Sequence, residues 1–332
     1  MTELGVHAPV VEVLLGSEER RAALERDVRY GLTATPKRLP PKWHYDAEGS
    51  RLFAEITRLP EYYLTRAERE ILAARAGEIA AISGADTLVE LGAGTSEKTR
   101  LLLDALRDAG RLQRIVLLDV DEETLRGSAE RLGEEYPGVL VHGVVGDLEE
   151  HLEALPRSGR RLVAFLGSSI GNFEPPERAG FLVRLRAAMR PGESFLLGTD
   201  LVKDPARLHA AYDDAAGVTP RFSLNLLAVL NRELGADFDL ARFRHVPRWD
   251  RERELVDIRL RSLAAQRVRI GALGLEVDFA AGEDLHTETS GKFRRAGVER
   301  ELREARFALG EWWTDAAGDF ALSLSRAEPQ AK

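Results

Sequence analysis

The chain has 332 residues, 44% of them hydrophobic and 31% charged, a globular composition that excludes a disordered or fibrous chain and is long enough for one large or two interleaved domains. It contains no cysteine, so disulfides, thiolate metal sites and a cysteine nucleophile are excluded, and a reducing compartment is compatible. The formal net charge of −8 has the wrong sign for a protein that must neutralise many phosphates, which favours small-molecule chemistry, although an acidic protein can still carry a local basic groove.

The N-terminal stretch MTELGVHAPVVEVLLGSEERR has no basic leader, and Glu12 and Glu18 interrupt its apolar run, so it does not read as a signal peptide. No window approaches the length of apolar sequence that a membrane span needs. Residues to about 62, with the Pro-rich connector PKRLPPKW, belong to neither of the two patterns described below and are expected to pack on the inserted lobe.

Between about 87 and 201, short apolar runs (TLVELGAG, RIVLLDVD, VLVHGVVGD, RLVAFLGSSIGNF and SFLLGTDL) alternate with amphipathic segments. That is the pattern of a parallel sheet with crossover helices, its strands buried on both faces. SEKTRLLLDALRDAG predicts a helix with Leu101, Leu102, Ala105 and Leu106 on one face and a C-cap at Gly110. From about 202, KDPARLHAAYDDAAG and SLNLLAVLNREL predict helices and RVRIGALGLEVDFA one or two strands, a change of pattern that suggests an inserted lobe. VERELREARF predicts a last helix, and FALGEWWTDAAGDFALSLSRA a hairpin turning at DAAGD. The expected division is 63–201 plus 287–332 for the α/β domain and 1–62 plus 202–286 for the α+β lobe.

In VELGAGTSEKT a Gly-Ala-Gly turn follows a strand and precedes a helix, so Gly92 and Gly94 let the backbone approach a ligand closely. A dinucleotide fingerprint would need a third glycine where Glu97 stands, which disfavours a nicotinamide oxidoreductase. Asp119 ends the second strand, where a carboxylate can accept hydrogen bonds from both ribose hydroxyls, and Asp147 ends the third, in reach of an adenine amino group. Singly, such residues are often a plain turn or a helix cap. At successive strand ends they resemble the nucleotide site of a class I methyltransferase. Lys98 reads either as a solvated helix residue or as a ligand for the carboxylate of the cofactor's methionine moiety. Asn172 follows glycine at the end of the fourth strand, where open α/β sheets bind ligands, although asparagine is also a common turn former.

The strings PPKWHYDAEGSRLFAEITRLPEYYLTRAE, VELGAGTSEKT, FLGSSIGNFEP, LLGTDLVKD, AYDDAAGVT and TETSGKF resemble, nearly end to end, the L-histidine Nα-methyltransferases of ergothioneine biosynthesis. The resemblance implies a class I, Rossmann-like methyltransferase sheet that binds S-adenosylmethionine, with an inserted α+β substrate-binding lobe. It implies three methyl transfers to L-histidine, through its mono- and dimethylated forms, giving trimethylhistidine (hercynine) and S-adenosylhomocysteine. A cytoplasmic monomer is expected, with no metal and no nucleic-acid or membrane partner.

By the same resemblance Tyr62 lines the substrate pocket, and Asn172 and Tyr212 meet the α-amino and carboxylate end. The Gly167 carbonyl and Tyr45 are candidates beside the amine, and Glu288, Thr289 and Ser290 belong to the imidazole end. Leu148 and Phe53 join Gly92, Gly94, Lys98, Asp119 and Asp147 as cofactor contacts. The chemistry is consistent, because a neutral imidazole has one donor and one acceptor, which a carboxylate and a hydroxyl satisfy together. Three positions depart from the family pattern: Leu148 where Phe is frequent, His44 where an aromatic is common, and Ile258 where relatives can carry Met beside the imidazole. They bear on pocket shape and affinity rather than on the reaction. The seven histidines lack metal-ligand spacing. One rival is an N-methyltransferase of tryptophan or another aromatic amine, which would have no use for the Glu288 and Ser290 pair. A rival of another class is a non-catalytic cofactor-binding protein, which calorimetry with histidine would separate.

Overall fold

A computed structural model of the chain describes residues 8–329; residues 1–7, part of the stretch read for a leader, and residues 330–332 lie outside the described residues. In chain order, β1 (Val10–Val13) precedes α1 (Ser17–Thr33), α2 (Ala47–Ile56) and α3 (Leu64–Ser83). An alternating run follows: β2 (Thr87–Leu91), α4 (Arg100–Asp108), β3 (Arg114–Asp119), α5 (Glu122–Glu135), β4 (Leu140–Val145), β5 (Arg161–Phe165), α6 (Pro175–Ala188) and β6 (Ser194–Asp200). Then come α7 (Pro205–Tyr212), α8 (Val218–Leu234), β7 (Phe243–Asp250), β8 (Leu255–Ser262), β9 (Gln266–Ile270), β10 (Leu275–Phe279) and β11 (Asp284–Gly291). The chain ends with α9 (Arg295–Glu304), β12 (Phe307–Thr314) and β13 (Phe320–Ala327). It divides into two compact units, the first comprising Met1–Leu15, Leu64–Val202 and Lys292–Lys332, the second Gly16–Tyr63 and Lys203–Gly291.

The first unit is built on an eight-stranded sheet of order β1-β4-β3-β2-β5-β6-β13-β12. The pairings from β1 through β6 are parallel, and β13 lies antiparallel between β6 and β12. The architecture is therefore α/β with a mostly parallel sheet, as the alternating apolar runs predict. Strands β2, β5 and β6 are buried along their whole length, which is why they read as continuous apolar runs. Val89, Val116, Val163 and Phe165 pack with Phe181 and Leu185 of α6 in one core, each such burial contributing about 1.5–3 kcal/mol. In α4 the buried stripe is Leu102, Leu103 and Leu106, with Leu103 in place of the predicted Leu101 and Ala105, and the helix begins at Arg100 rather than near Ser96. The DAAGD turn closes on the Asp315 carboxylate, which accepts hydrogen bonds from the N–H groups of Asp319 at 2.8 Å and Phe320 at 2.7 Å. Strand order reverses around β2, with β3 on one side and β5 on the other. That creates a crevice at the carboxyl ends of these strands, where open sheets of this kind hold ligands.

The second unit contains a three-stranded antiparallel sheet, β11-β8-β7, and the β9–β10 hairpin. Leu24, Val28 and Leu32 of α1 share a core with Leu226, Leu227 and Leu230 of α8 and with Leu260, Ile270 and Phe279 of the strands. Helix α2 is capped by Asp46, which accepts from Gly49 N–H at 2.7 Å and from the Asn225 amide at 2.7 Å.

Two features differ from the sequence division. Residues Val10–Val13 pair in parallel with His142–Val145 at the edge of the large sheet, so the described part of the first fifteen residues belongs with the first unit. Residues 287–291 belong to β11 and the second unit. Four residues, of which only Val11 is half-buried and the others are exposed, give too short a pattern to announce an added edge strand.

Candidate active site

At the carboxyl end of β2, Gly92 and Gly94 take left-handed backbone angles, φ +67° and +49°, which a side chain would oppose. A methyl group built on either would meet no atom within 4 Å, so the space above the turn is open to a ligand. Asp119 at the end of β3 is held to this turn. Its carboxylate accepts from Gly94 N–H at 2.8 Å and from Asp121 N–H at 3.0 Å, and each oxygen keeps a second lone pair for a hydroxyl. Burial nonetheless pushes its pKa upward, against those hydrogen bonds. Asp147 beyond β4 accepts from Glu149 N–H at 2.8 Å, and Leu148 packs on the core beside it. An open cradle between glycines, followed by carboxylates at the next two strand ends, fits a nucleoside without a pyrophosphate.

Sequence reasoning missed the group beneath the cradle. Glu90 is 4% exposed and accepts from the Ser96 hydroxyl at 2.7 Å and from the Thr99 hydroxyl, which binds the middle and the far end of the loop to β2. Burial, only partly offset by these hydrogen bonds, pushes the Glu90 carboxyl up to about 7. Lys98 lies in the turn before α4 and pairs with Glu68 of α3. The available signal was periodicity: Glu68 falls on the buried stripe of α3 formed by Leu64, Ala67, Ile71, Leu72 and Ile79, where a charge needs a partner.

Beyond β5, Gly167 and Ser168 have successive positive φ angles, +75° and +60°. Ser168 is buried and its hydroxyl accepts from Asp200 N–H at 2.9 Å. A short 3-10 turn, Ser169–Asn172, follows. Asn172 is half-buried at the end of this turn.

In the second unit, Glu288 faces Ile258 across the β11–β8 pair, and Ser290 faces Val256. Residues two apart on a strand, together with their direct cross-strand partners, share one face. The Ser290 hydroxyl lies 2.7 Å from the Tyr212 hydroxyl at the end of α7, which identifies that face as the one toward Tyr212. Tyr212, Ile258, Glu288 and Ser290 are thus brought together. Thr289 is on the opposite face, its hydroxyl 3.1 Å from His286 Nε2. A bulge between His286 and Glu288 shifts the alternation and puts His286 and Thr289 on the same side.

Tyr45, Phe53 and Tyr62 fall in one aromatic cluster around Phe222 of α8, a residue not singled out in the sequence. Tyr45 and Phe53 rings lie 5.4 Å and 5.9 Å from Phe222, and Tyr62 lies 6.2 Å from Phe53. His44 stacks on Phe222 at 5.0 Å. Burial pushes its pKa down to about 4, so it serves here as a neutral ring. Among the described residues no group of three or more His, Asp or Glu is arranged to hold a metal ion.

The chain matches the family model described as "Histidine-specific methyltransferase, SAM-dependent" over residues 24–327. It is 59% identical to the histidine N-alpha-methyltransferase of Mycolicibacterium smegmatis over 311 residues, covering 94% of this chain and 97% of that protein. It is 58% identical to the protein of the same description from Mycobacterium tuberculosis, with the same coverage. Ergothioneine biosynthesis protein 1 of Neurospora crassa is 36% identical over 65% of this chain, which spans 26% of that longer protein.

Proposed function

Because the chain belongs to the histidine-specific, S-adenosylmethionine-dependent methyltransferases, we propose that it methylates the α-amino group of free L-histidine three times, yielding hercynine for ergothioneine biosynthesis. The observation that carries the substrate assignment is the β11–β8 face, on which the Glu288 carboxylate and the Ser290 hydroxyl stand together beside the Ile258 wall. A neutral imidazole needs one acceptor for its N–H and one donor for its bare nitrogen, and this pair supplies both. An indole could satisfy only half of it, and an unmatched buried polar group is costly.

S-adenosylmethionine supplies an already activated sulfonium methyl, so the protein's task is to hold a neutral amine in line and exclude water. In this reading Gly92, Gly94, Asp119 and Asp147 bind the nucleoside, with Leu148 and Phe53 as apolar contacts. Lys98 meets the cofactor's carboxylate. Asn172 and the Gly167 carbonyl orient the amine, with Tyr45 as a polar neighbour. Tyr212 takes the substrate carboxylate and Tyr62 closes the pocket. Thr289, on the far face of the strand, holds its register through His286 rather than touching substrate.

In this reading the first unit carries the polar donor-binding residues and the turn that orients the amine, and the second carries the contacts to the imidazole and the carboxylate. The proposed setting is a cytoplasmic monomer acting on a free amino acid rather than on nucleic acid or a membrane. The net charge of −8 disfavours a nucleic-acid partner and the lack of cysteine is compatible with a reducing compartment, and no described helix is long and apolar enough to cross a membrane. The deciding experiment is mass spectrometry of the protein with S-adenosylmethionine and each of the twenty amino acids. Mono-, di- and trimethylation confined to histidine is expected, and preferential methylation of tryptophan would overturn the reading.

A further inference from the structure

We propose that Glu68 is a positioning residue that locks the cofactor lysine and the substrate-amine turn into one unit. The proposal rests on the roles given above to Lys98 and Gly167. Glu68 has no solvent exposure, an environment a carboxylate occupies only with compensating partners. It has two, from different parts of the first unit. One oxygen pairs with Lys98 Nζ, on the turn that follows the glycine cradle. The other accepts from Gly167 N–H at 2.7 Å, at the exit of β5.

The neighbouring strand is shaped to admit this bridge. A methyl group on Gly198 of β6 would lie 2.3 Å from Glu68 Oε1, closer than any real contact, so only glycine leaves room for the carboxylate. A methyl on Gly167 would lie 3.6 Å from Lys98 Nζ, so the lysine head stands against the turn itself. That turn is anchored again one residue on, where the Ser168 hydroxyl accepts from Asp200 N–H at 2.9 Å, and Gly171 N–H donates back to the Ser168 carbonyl at 2.8 Å just before Asn172. Glu68 therefore fixes the Gly167 peptide at the start of the segment that carries Asn172. It also fixes the ammonium head, whose three donors leave it free to bind a carboxylate as well.

A carboxylate can accept from both partners, whereas the glutamine amide has a single acceptor oxygen and must turn its NH2 toward one of them. Glu68→Gln, nearly isosteric, thus separates the bridge from the burial. Three readouts are taken: S-adenosylhomocysteine affinity by calorimetry, the kcat and KM for histidine, and the Tm. The expected result is affinity and kcat each lowered about tenfold, with the histidine KM within about threefold of wild type, the split of a group that acts on placement rather than on ground-state amino-acid binding. The affinity loss should also vanish in a Lys98→Met background, because the two side chains act as one coupled pair.

Gly198→Ala, which displaces the carboxylate without removing its charge, should reproduce the pattern, and it decides the matter if Glu68→Gln does not fold. Affinity and kcat within about twofold of wild type, with only Tm lowered, would make Glu68 a buried structural acid and overturn the proposal. So would failure of both variants to fold. The affinity measurement needs no methyl acceptor. A wild-type protein that binds S-adenosylhomocysteine but leaves histidine unmethylated would refute the proposed function alone and leave Glu68 testable.

Discussion

The hydroxyls of Tyr212 and Ser290 share a hydrogen bond of 2.7 Å, so the residue proposed for the substrate's carboxylate and one proposed for its imidazole are held in a fixed relation. Tyr212 is also tied through its carbonyl, 2.7 Å from His245 Nε2 of β7. The two hydroxyls carry two protons between them, so the bond that sets this relation gives way when Tyr212 donates to the carboxylate and Ser290 to the imidazole. Tyr212→Phe should accordingly raise the histidine KM about tenfold and change kcat by less than about threefold, because it removes a contact present before and during transfer. Steady-state kinetics check this, and a fall in kcat at unchanged KM would move Tyr212 to the reacting end.

Asp119 joins the glycine turn to the next strand end through Gly94 N–H. Asp119→Ala should weaken S-adenosylmethionine binding by roughly 1.5–3 kcal/mol, the range for hydrogen bonds to a charged group. Circular dichroism should remain that of the wild type, and calorimetry reads the loss. Unaltered affinity would remove Asp119 from the nucleoside site.

The contrast between Asp119 and Glu68 indicates what could be read in advance. Strand ends were legible because β3 and β4 are short apolar runs with a carboxylate at or just beyond the close, and position along such a run needs no tertiary knowledge. Glu68 lies in TRAERE, which read by itself is a solvated helix start; its burial shows only when the apolar stripe Leu64, Ala67, Ile71, Leu72 and Ile79 along the whole of α3 is taken with it. Glu90 was passed over likewise, a lone acid in β2 between Val89 and Leu91. Strands β7, β8 and β11 carry arginines and aspartates on one face, where Arg259 pairs with Asp257 and Arg261 with Asp284, and so lacked the apolar signature that marks the large sheet. Thr289 lies between Glu288 and Ser290 in a regularly paired stretch of β11, so strand alternation alone puts its side chain on the face opposite theirs, which the grouping of all three at the imidazole end passed over.

Glu90 makes the glycine turn after β2, proposed to bind the nucleoside, sensitive to pH. Its carboxyl moves from a reference value of 4.5 to about 7 on folding, so between these pH values the folded chain holds a proton that the unfolded chain has released. The stabilisation from this group is therefore fully present below the lower value and is lost as pH rises through the upper one, at no more than about 1.4 kcal/mol per pH unit. Glu90→Gln, neutral throughout, should gain Tm relative to wild type on going from about pH 5 to about pH 8. Thermal melts at the two pH values test the sign, and a parallel pH response in both proteins would show that Glu90 is ionised in the folded state at both.

Asn172 ends the turn that Gly167 and Ser168 set by their left-handed backbone angles. If it orients the amine, Asn172→Ala should lower kcat about a hundredfold while the histidine KM moves little, since misplacing the nucleophile forfeits orientation rather than binding. Single-turnover kinetics at saturating cofactor separate the chemical step from product release. A variant that keeps the wild-type single-turnover rate would leave Asn172 as a turn former.

Specificity should reside in Glu288. It faces Ile258 across the strand pair, so a carboxylate and an apolar wall border the same space, with the Ser290 hydroxyl two residues along. In the proposed reading the carboxylate accepts the imidazole N–H and fixes the tautomer whose bare nitrogen receives the hydroxyl proton, so the two side chains act as a unit. Glu288→Ala should then cost histidine about 1.5–3 kcal/mol in kcat/KM through loss of a charge-assisted hydrogen bond. It should cost tryptophan little, because removing the carboxylate also removes a charge that the larger ring would have to desolvate. Shrinking Ile258 to Ala in the same chain should widen the space toward an indole and narrow the preference further. The measurement is a competition assay in which histidine and tryptophan share one reaction and the ratio of their products gives the ratio of specificity constants directly. A falling ratio from wild type through the single to the double variant is the expected series. A constant ratio would mean that Glu288 does not read the imidazole, and selection of histidine would have to come from the aromatic cluster around Phe222 instead.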